Sequence, residues 1–204
     1  NFMIKHGRGL LCVSLLPDIC RRLKLSPMVD ENTAPLQTAF AVPVDHRSIK
    51  TGITAQERSC TIRALVDPSS VADDFLRPGH VLPLVAKEGG VLRRAGHTEA
   101  TVDLARMAGL TPAGVLCEIL NDAGGRANCD ELLEIARANN LKIISIEQLI
   151  SQRRVTEKLV SRNAEACLPT RHGQFKIIVY DVKYEQHQPI ALVLGCPEQA
   201  AAPL

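Results

Sequence analysis

The pattern of hydrophobic and polar positions predicts strands and helices in irregular alternation. Five segments are predicted as strands because they are short apolar runs or alternate with period two: 11–16, 38–44, 80–86, 113–120 and 142–146. Five further segments carry the apolar stripe of amphipathic helices: 17–23, 55–66, 98–108, 130–140 and 147–154. Since the order follows no regular βαβ series, we expect an α+β fold with a mixed sheet flanked by helices.

Polar and small residues mark several predicted element ends. Thr54, Thr98 and Asp130 stand where N-caps are expected, because their side chains can accept a first-turn N–H. Gly109 stands just beyond the helix at 98–108, at the usual position of a left-handed C-terminal residue. Pro43 places the strand at 38–44 near a sheet edge, since proline has no N–H to donate.

After Arg154 the chain changes character. Residues 155–167 are polar and are predicted as a linker, whereas 168–182 and 188–195 predict strands of a separate unit. That unit has too little chain to close a core. We therefore expect one domain over 1–154, and a linker with an incomplete β-rich segment over 155–204.

Composition excludes some classes of function. With four Phe, two Tyr and no Trp, the chain offers few stacking platforms for single-stranded nucleic acid. The net charge of +2 comes from interspersed charges, so no basic face for duplex binding is predicted. No apolar run is long enough to span a membrane. The chain has seven cysteines without a C-x-x-C pair, which favours a reducing compartment, the cytoplasm or a plastid stroma.

One cluster of candidate functional residues runs from Arg94 to Thr98. A helix beginning there would present unpaired N–H groups, and the Arg94 guanidinium could fold over the same point. This is a suitable phosphate or carboxylate site, although a capped helix beside a surface arginine explains the same residues. His97 alone is a weak metal signal. Completed by carboxylate and substrate oxygens, it would suit Mg²⁺ or Mn²⁺.

Three other segments could contribute to chemistry. His80 follows a Pro-Gly turn that could hold an acid–base group rigidly, or it is a strand-edge histidine. Glu118 lies in an apolar run and is predicted to be partly desolvated, unless strand alternation turns it to solvent. Thr51 lies near a predicted helix start, as a second anion contact or as part of an ordinary cap.

Taken together, several motifs resemble those of the 3,4-dihydroxy-2-butanone 4-phosphate synthase family over residues 3–154. They are "HGRGLLCV", "LSPMVDENT", "KTGITAQER", "RPGHVLPL", "GGVLRRAGHTEATVDLARMAGL" and "PAGVLCEILND". The resemblance implies conversion of D-ribulose 5-phosphate to 3,4-dihydroxy-2-butanone 4-phosphate and formate by a homodimer that uses Mg²⁺ or Mn²⁺. It implies catalysis by His80 and Glu118, and His97 as a metal ligand. It also implies these substrate-binding residues: Thr51, Arg94, Ala95, Gly96, His97, Thr98 and Glu118.

The chain departs from the family pattern in two respects. The family's acidic metal-binding loop precedes the "HG" motif and is not in this sequence, so His97 is the one recognisable metal ligand. Arg8 replaces the small residue usual in that motif. An inactive homologue that binds a phosphosugar or pairs with another subunit therefore stands as the alternative.

The C-terminal stretch "EACLPTRHGQFKIIVYDV" is similar to the opening of GTP cyclohydrolase II. This resemblance implies a bifunctional fusion of the two enzymes. The zinc cluster and the GTP site of that family lie beyond the matched segment, and Cys167 and Cys196 have no companions that could rebuild the cluster. No cyclohydrolase activity is expected of this chain.

Overall fold

A computed structural model of the protein describes residues 1–197, and the chain divides between residues 150 and 151 into two compact units. The first unit contains α1 (Phe2–Gly7), β1 (Arg8–Leu15), α2 (Pro17–Arg22), β2 (Val44–His46), α3 (Ala55–Val66), β3 (Phe75–Val85), α4 (His97–Met107), β4 (Gly114–Ile119) and α5 (Cys129–Ala138). Helix α6 (Ile146–Thr156) runs across the division. The second unit contains β5 (Val160–Thr170), β6 (Gly173–Val182) and β7 (Ile190–Leu194).

The first unit is built on a four-stranded sheet in the order β2–β3–β1–β4. Strands β1 and β3 are parallel, whereas β4 and β2 pair antiparallel with β1 and β3 respectively. Helix α4 packs on β1 and β4, and α3 packs on β2 and β3. The predicted α+β fold with a mixed sheet and flanking helices is therefore confirmed. Within residues 1–197, no helix is long and apolar enough to cross a membrane.

The core of this unit lies around the central strand β1. Val13 and Leu15 are fully buried there and pack with Leu23, Val44 and Leu65 from neighbouring elements. Ser14, which lies between these two residues on β1, is also fully buried. Its hydroxyl group is satisfied there, because it donates to the carbonyl of Thr98 at 2.6 Å. That bond attaches the start of α4 to the end of β1.

The predicted helices of the first unit are confirmed within a few residues. Helix α3 spans the predicted 55–66, and Thr54 caps it in a reciprocal capping box with Glu57. Helix α4 ends at Met107 with Ala108 as its C-cap, and Gly109 follows at a φ of 72°. Asp130 as the N-cap of α5 was wrong, because the amide of Asn128 accepts from the N–H of Glu131 instead.

The strand predicted at 142–146 was wrong. Residues 141–145 form no strand, and Ser145 precedes the first residue of helix α6 rather than continuing a sheet. Its hydroxyl accepts from the N–H of Gln148 at 3.1 Å, and its own N–H donates to the Gln148 side chain at 2.9 Å. Ser145, inside the predicted strand, thus caps α6, and the exposed Ile143 and Ile144 have no strand partner in the described structure.

The strand predicted at 38–44 was largely wrong. Phe40 and Ala41 make only isolated bridges, to Leu84 and Pro27, and the regular strand β2 begins at Val44. The physical reason is Pro43, which removes a donor and interrupts the ladder immediately before that strand.

The second unit is a three-stranded antiparallel sheet in the order β5–β6–β7, which confirms a β-rich C-terminal segment. The linker predicted at 155–167 was wrong beyond residue 159, because β5 starts at Val160 and pairs along its whole length with β6. The register between β6 and β7 gathers apolar side chains on one face: Phe175, Ile177, Val179, Ile190, Leu192 and Leu194. The β7 members of this set are 57–59% exposed.

Candidate functional site

His80 is held by the carboxylate of Asp45. The backbone N–H of His80 donates to Asp45 Oδ1 at 2.9 Å, and the imidazole Nδ1 lies 2.6 Å from Asp45 Oδ2. The Asp45 side chain is 11% exposed and that of His80 is 46% exposed. An ionised carboxylate only accepts hydrogen bonds, so the contact assigns the proton to Nδ1 and leaves Nε2 as the basic nitrogen.

The strands bring this pair together by a close backbone approach. Gly79 precedes the histidine, and a Cβ there would lie 2.0 Å from the carbonyl carbon of Val44, so only glycine lets β3 come this near to β2. Gly52 also lies against the Asp45–His80 pair, and its backbone has a φ of 78°. A Cβ on Gly52 would lie 2.2 Å from Asp45 Oδ2 and 2.5 Å from His80 Nδ1.

The carboxylate of Glu57 organises the loop that carries Gly52. It accepts from the backbone N–H groups of Lys50 and Thr51 and from the hydroxyls of Thr51 and Thr54. The backbone N–H of Thr51 contributes most to this stabilisation, and together the donors lower the pKa of Glu57 to about 2. The Thr51 hydroxyl is engaged within the cap, and its role as a substrate contact stays a prediction.

Replacing Glu57 with Gln is expected to lower the melting temperature at pH 7, because the amide cannot accept the same set of hydrogen bonds. The folded-state pKa is depressed, so the stabilisation by Glu57 is present above its ordinary pKa of about 4.3 and is lost as the pH falls toward 2. Thermal unfolding of both proteins from pH 7 to pH 2.5 tests this. A melting-temperature difference that stays constant over that range would contradict it.

Arg94 is engaged by protein groups rather than free in solvent. Its Nη1 donates to Glu99 Oε2 at 2.7 Å, and its Nη2 donates to the carbonyl of Leu36 at 3.0 Å. The carboxylate of Glu99 is 1% exposed and also accepts the backbone N–H of Lys87 at 3.0 Å. Gly96 completes this arrangement, since a Cβ there would lie 2.2 Å from Arg94 Nη1.

Thr98 as the N-cap of α4 was wrong. The helix begins one residue earlier, at His97, and Gly96 is the N-cap without any side-chain capping bond. Thr98 is buried in the first turn, and its hydroxyl makes no hydrogen bond with another residue of the described 1–197. It lines a small cavity together with Gln37, Lys87, Arg94 and Glu99. Arg94 and Thr98 therefore come together as predicted from the sequence, at one cavity beside the start of a helix.

Glu118 lies on β4 and is exposed, so strand alternation turns it to solvent and the predicted partial desolvation was wrong. His80 on β3 and Glu118 on β4 lie on the two strands that flank β1, one on either side of it. The start of α4 is attached further along β1, through the hydrogen bond from Ser14 to the Thr98 carbonyl.

Arg8 stands at the start of β1 in the left-handed region, with a φ of 65°. Its guanidinium forms an ion pair with Asp122, beyond the end of β4. The cation therefore lies at the same end of the sheet as Glu118, and its charge is matched by another carboxylate.

His97 is exposed at the first position of α4, and Ala95 is exposed just before it. No group of three His, Cys, Asp or Glu side chains converges on a point suited to a metal ion in the part of the chain that the structure describes. One imidazole does not hold Mg²⁺, which prefers several oxygen ligands in octahedral geometry. The described residues on their own do not fit a divalent-metal site.

A sequence profile described as 3,4-dihydroxy-2-butanone 4-phosphate synthase matches residues 1–152. The chain belongs to this synthase family. It is 53% identical over 195 residues to proteins named riboflavin biosynthesis protein RibBA from Bacillus mycoides and Bacillus velezensis. The alignment covers 96% of this chain and 49% of each relative, so the chain spans about half of their length.

Two solved structures support the synthase assignment. RibBX from A. baumannii, a two-domain 3,4-dihydroxy-2-butanone 4-phosphate synthase, matches 98% of this chain and 59% of its own, at 42% identity and a TM-score of 0.89. A 3,4-dihydroxy-2-butanone 4-phosphate synthase in complex with two magnesium ions matches 76% of this chain and 78% of its own, at 40% identity and a TM-score of 0.73.

The sequence analysis missed three residues that shape the candidate site. Asp45 follows the apolar run "AFAVPV", and a carboxylate at the end of such a run was a usable signal. Glu57 occupies the third helical position after Thr54, as expected of a capping box. Glu99 follows Thr98 directly but looks like an ordinary first-turn acid, so nothing in the sequence indicated a buried partner for Arg94.

Proposed function

We propose that this chain carries the synthase activity of its family over residues 1–154, converting D-ribulose 5-phosphate to 3,4-dihydroxy-2-butanone 4-phosphate and formate. The observation that carries the proposal is the Asp45–His80 pair, which presents a basic imidazole nitrogen on the matched fold. Loss of one carbon as formate requires enolisation and therefore repeated proton transfer. An imidazole oriented by a buried carboxylate is suited to that work.

In this proposal the residues divide into a proton-transfer group and a phosphate-binding group. His80 Nε2 takes and returns protons, while Asp45 holds the ring and stabilises the imidazolium. Glu118 is the second proton-transfer group, on the far side of β1. Arg94 and Thr98, with the backbone of Ala95 to His97 at the start of α4, bind the substrate phosphate.

Mg²⁺ or Mn²⁺ is proposed as the metal, with His97 as one ligand. The support is the magnesium-bound relative and the preference of both ions for oxygen-rich sites. Such an ion would supply Lewis-acid stabilisation of negative charge that develops on the substrate. Because the described residues do not converge on a metal site, its other ligands must come from outside that set, and no proton transfer above is routed through the ion.

A homodimer is the proposed assembly. Leu104, Met107 and Leu110 are 43–67% exposed at the end of α4, and a second copy could cover them. Residues 155–204 are proposed to begin a cyclohydrolase II-like domain, on the strength of the motif "EACLPTRHGQFKIIVYDV". The predicted compartment, cytoplasm or plastid stroma, stays a prediction.

The alternative is an inactive homologue that still binds a phosphosugar. The family match does not favour it, and its support is limited to two observations: the described side chains do not converge on a metal site, whereas Arg94 and Thr98 line one cavity. Turnover distinguishes it from the main proposal, since both predict binding.

Formate release from D-ribulose 5-phosphate with Mg²⁺ is the deciding measurement. We expect formate from the unmodified chain, and a loss of at least about 100-fold in His80→Gln and in Glu118→Gln, the scale of general acid–base catalysis. His187→Gln and Glu134→Gln replace exposed residues of the same types and should keep full activity. Binding without turnover in the unmodified chain would favour the alternative, and absence of both would refute both readings.

A further inference from the structure

The cavity beside α4 contains more charge than the predicted site accounted for. It is lined by Lys87, Arg94, Thr98 and Glu99, together with three further uncharged residues, Gln37, Ala39 and Val85. The family resemblance drew attention only to Arg94 and Thr98. Any role of the additional charged groups in recognising a phosphosugar rests on the proposed function.

The positive charge of Arg94 is already balanced. Its guanidinium lies 2.7 Å from Glu99 Oε2, and that carboxylate is 1% exposed, so the two form a partly buried, neutral ion pair. A phosphate monoester carries between one and two negative charges at neutral pH. A neutral pair supplies hydrogen-bond donors with fixed geometry but no net attraction for such an anion.

Lys87 lines the same cavity, and its flexible side chain can carry the missing charge to it. Its backbone N–H donates to Glu99 Oε1 at 3.0 Å, and its carbonyl accepts from the N–H of Gly90 at 3.0 Å, so the main chain is fixed at both groups. The side chain is exposed, and no ion pair involves its ammonium group in the described residues. One carboxylate thus orients the Arg94 guanidinium and anchors the backbone of a second cation.

We propose that Lys87 is a phosphate-binding, specificity-determining residue that supplies the net positive charge of the cavity. The ammonium is a point charge on a flexible stem and can follow the anion as it enters, whereas Arg94 is held in place by Glu99 and the Leu36 carbonyl. The Thr98 hydroxyl adds a donor without a protein partner among the described residues. Two cations and one carboxylate give the cavity a net charge of about +1, which selects phosphorylated over free sugars.

The test is calorimetric binding of D-ribulose 5-phosphate and of D-ribulose to the full chain and four variants. Lys87→Met should weaken binding of the phosphosugar by about 10–100-fold, the range of a charge-assisted hydrogen bond, and should leave the weak binding of D-ribulose unchanged. Lys87→Arg should restore most of the affinity. Lys142→Met, an exposed lysine of the same unit, is the matched control and should bind like the unmodified chain.

Arg94→Met separates failure of this assignment from failure of the proposed function. If the unmodified chain binds, Arg94→Met loses binding and Lys87→Met stays within twofold, the Lys87 assignment is overturned and the proposed function stands. If the unmodified chain does not bind the phosphosugar, the proposed function fails and the Lys87 assignment with it. Thermal unfolding of each variant controls for folding, and both replacements of Lys87 keep the backbone N–H that donates to Glu99.

Discussion

Replacing Asp45 with Asn should reduce formate release by about 100- to 10,000-fold while leaving the fold intact. The amide oxygen can keep the bond to the His80 backbone N–H, which turns the amide NH₂ toward Nδ1. Nδ1 must then accept, the ring proton moves to Nε2, and the nitrogen that should take a proton no longer can. The measurement is kcat for formate release across pH 6–9.

The control for this prediction is Asp130→Asn, an exposed aspartate whose replacement should leave kcat unchanged. A second readout is the His80 tautomer by nitrogen NMR, which a purely structural role of Asp45 would not move. Asp45→Glu keeps the charge and should recover part of the rate. An Asp45→Asn protein with normal kcat and an unchanged tautomer would show that the pair does not set the chemistry of His80.

Replacing Leu15 with Ala should destabilise the first unit by about 2–5 kcal/mol, the range for large-to-small substitutions in a packed core. Leu15 is fully buried at the end of the central strand, and it pairs in register with Val85 of β3. The lost methyl groups leave a cavity that the surrounding sheet cannot collapse around. Denaturant unfolding at neutral pH gives the free energy directly.

Leu36→Ala is the matched control, because Leu36 is 78% exposed and contributes its backbone carbonyl, not its side chain, to Arg94. Its free energy of unfolding should stay within about 0.5 kcal/mol of the unmodified chain. Equal losses for Leu15→Ala and Leu36→Ala would mean that the core does not lie where the structure places it.

Local signals made much of the fold predictable. The N-cap, the apolar positions and the end of helix α3 all lie in one continuous segment. Its bounds could therefore be predicted from the sequence. The segment 142–146 has the composition of a strand, yet a strand exists only where another strand pairs with it. That partner is decided by tertiary packing, and no periodicity in the segment could reveal that Ser145 caps α6 instead.

The candidate site shows the same division between local and long-range information. Arg94, His97 and Thr98 are adjacent in one motif, and their grouping was visible in the sequence. Asp45 and His80 are 35 residues apart and meet only because Gly79 lets β3 approach β2 closely. Such a pair depends on register and backbone proximity, which the sequence of either segment does not encode alone.

The apolar face of the β5–β7 sheet bears on how the assembly of this chain can be measured. Leu192 and its neighbours on β7 lie on the outer strand of the described sheet, which offers both exposed side chains and unpaired backbone groups. Such a surface promotes open-ended association, whereas a closed dimer has a fixed stoichiometry. A molar mass that increases steadily with protein concentration therefore indicates open-ended association through this face. Only a plateau at twice the chain mass indicates the homodimer.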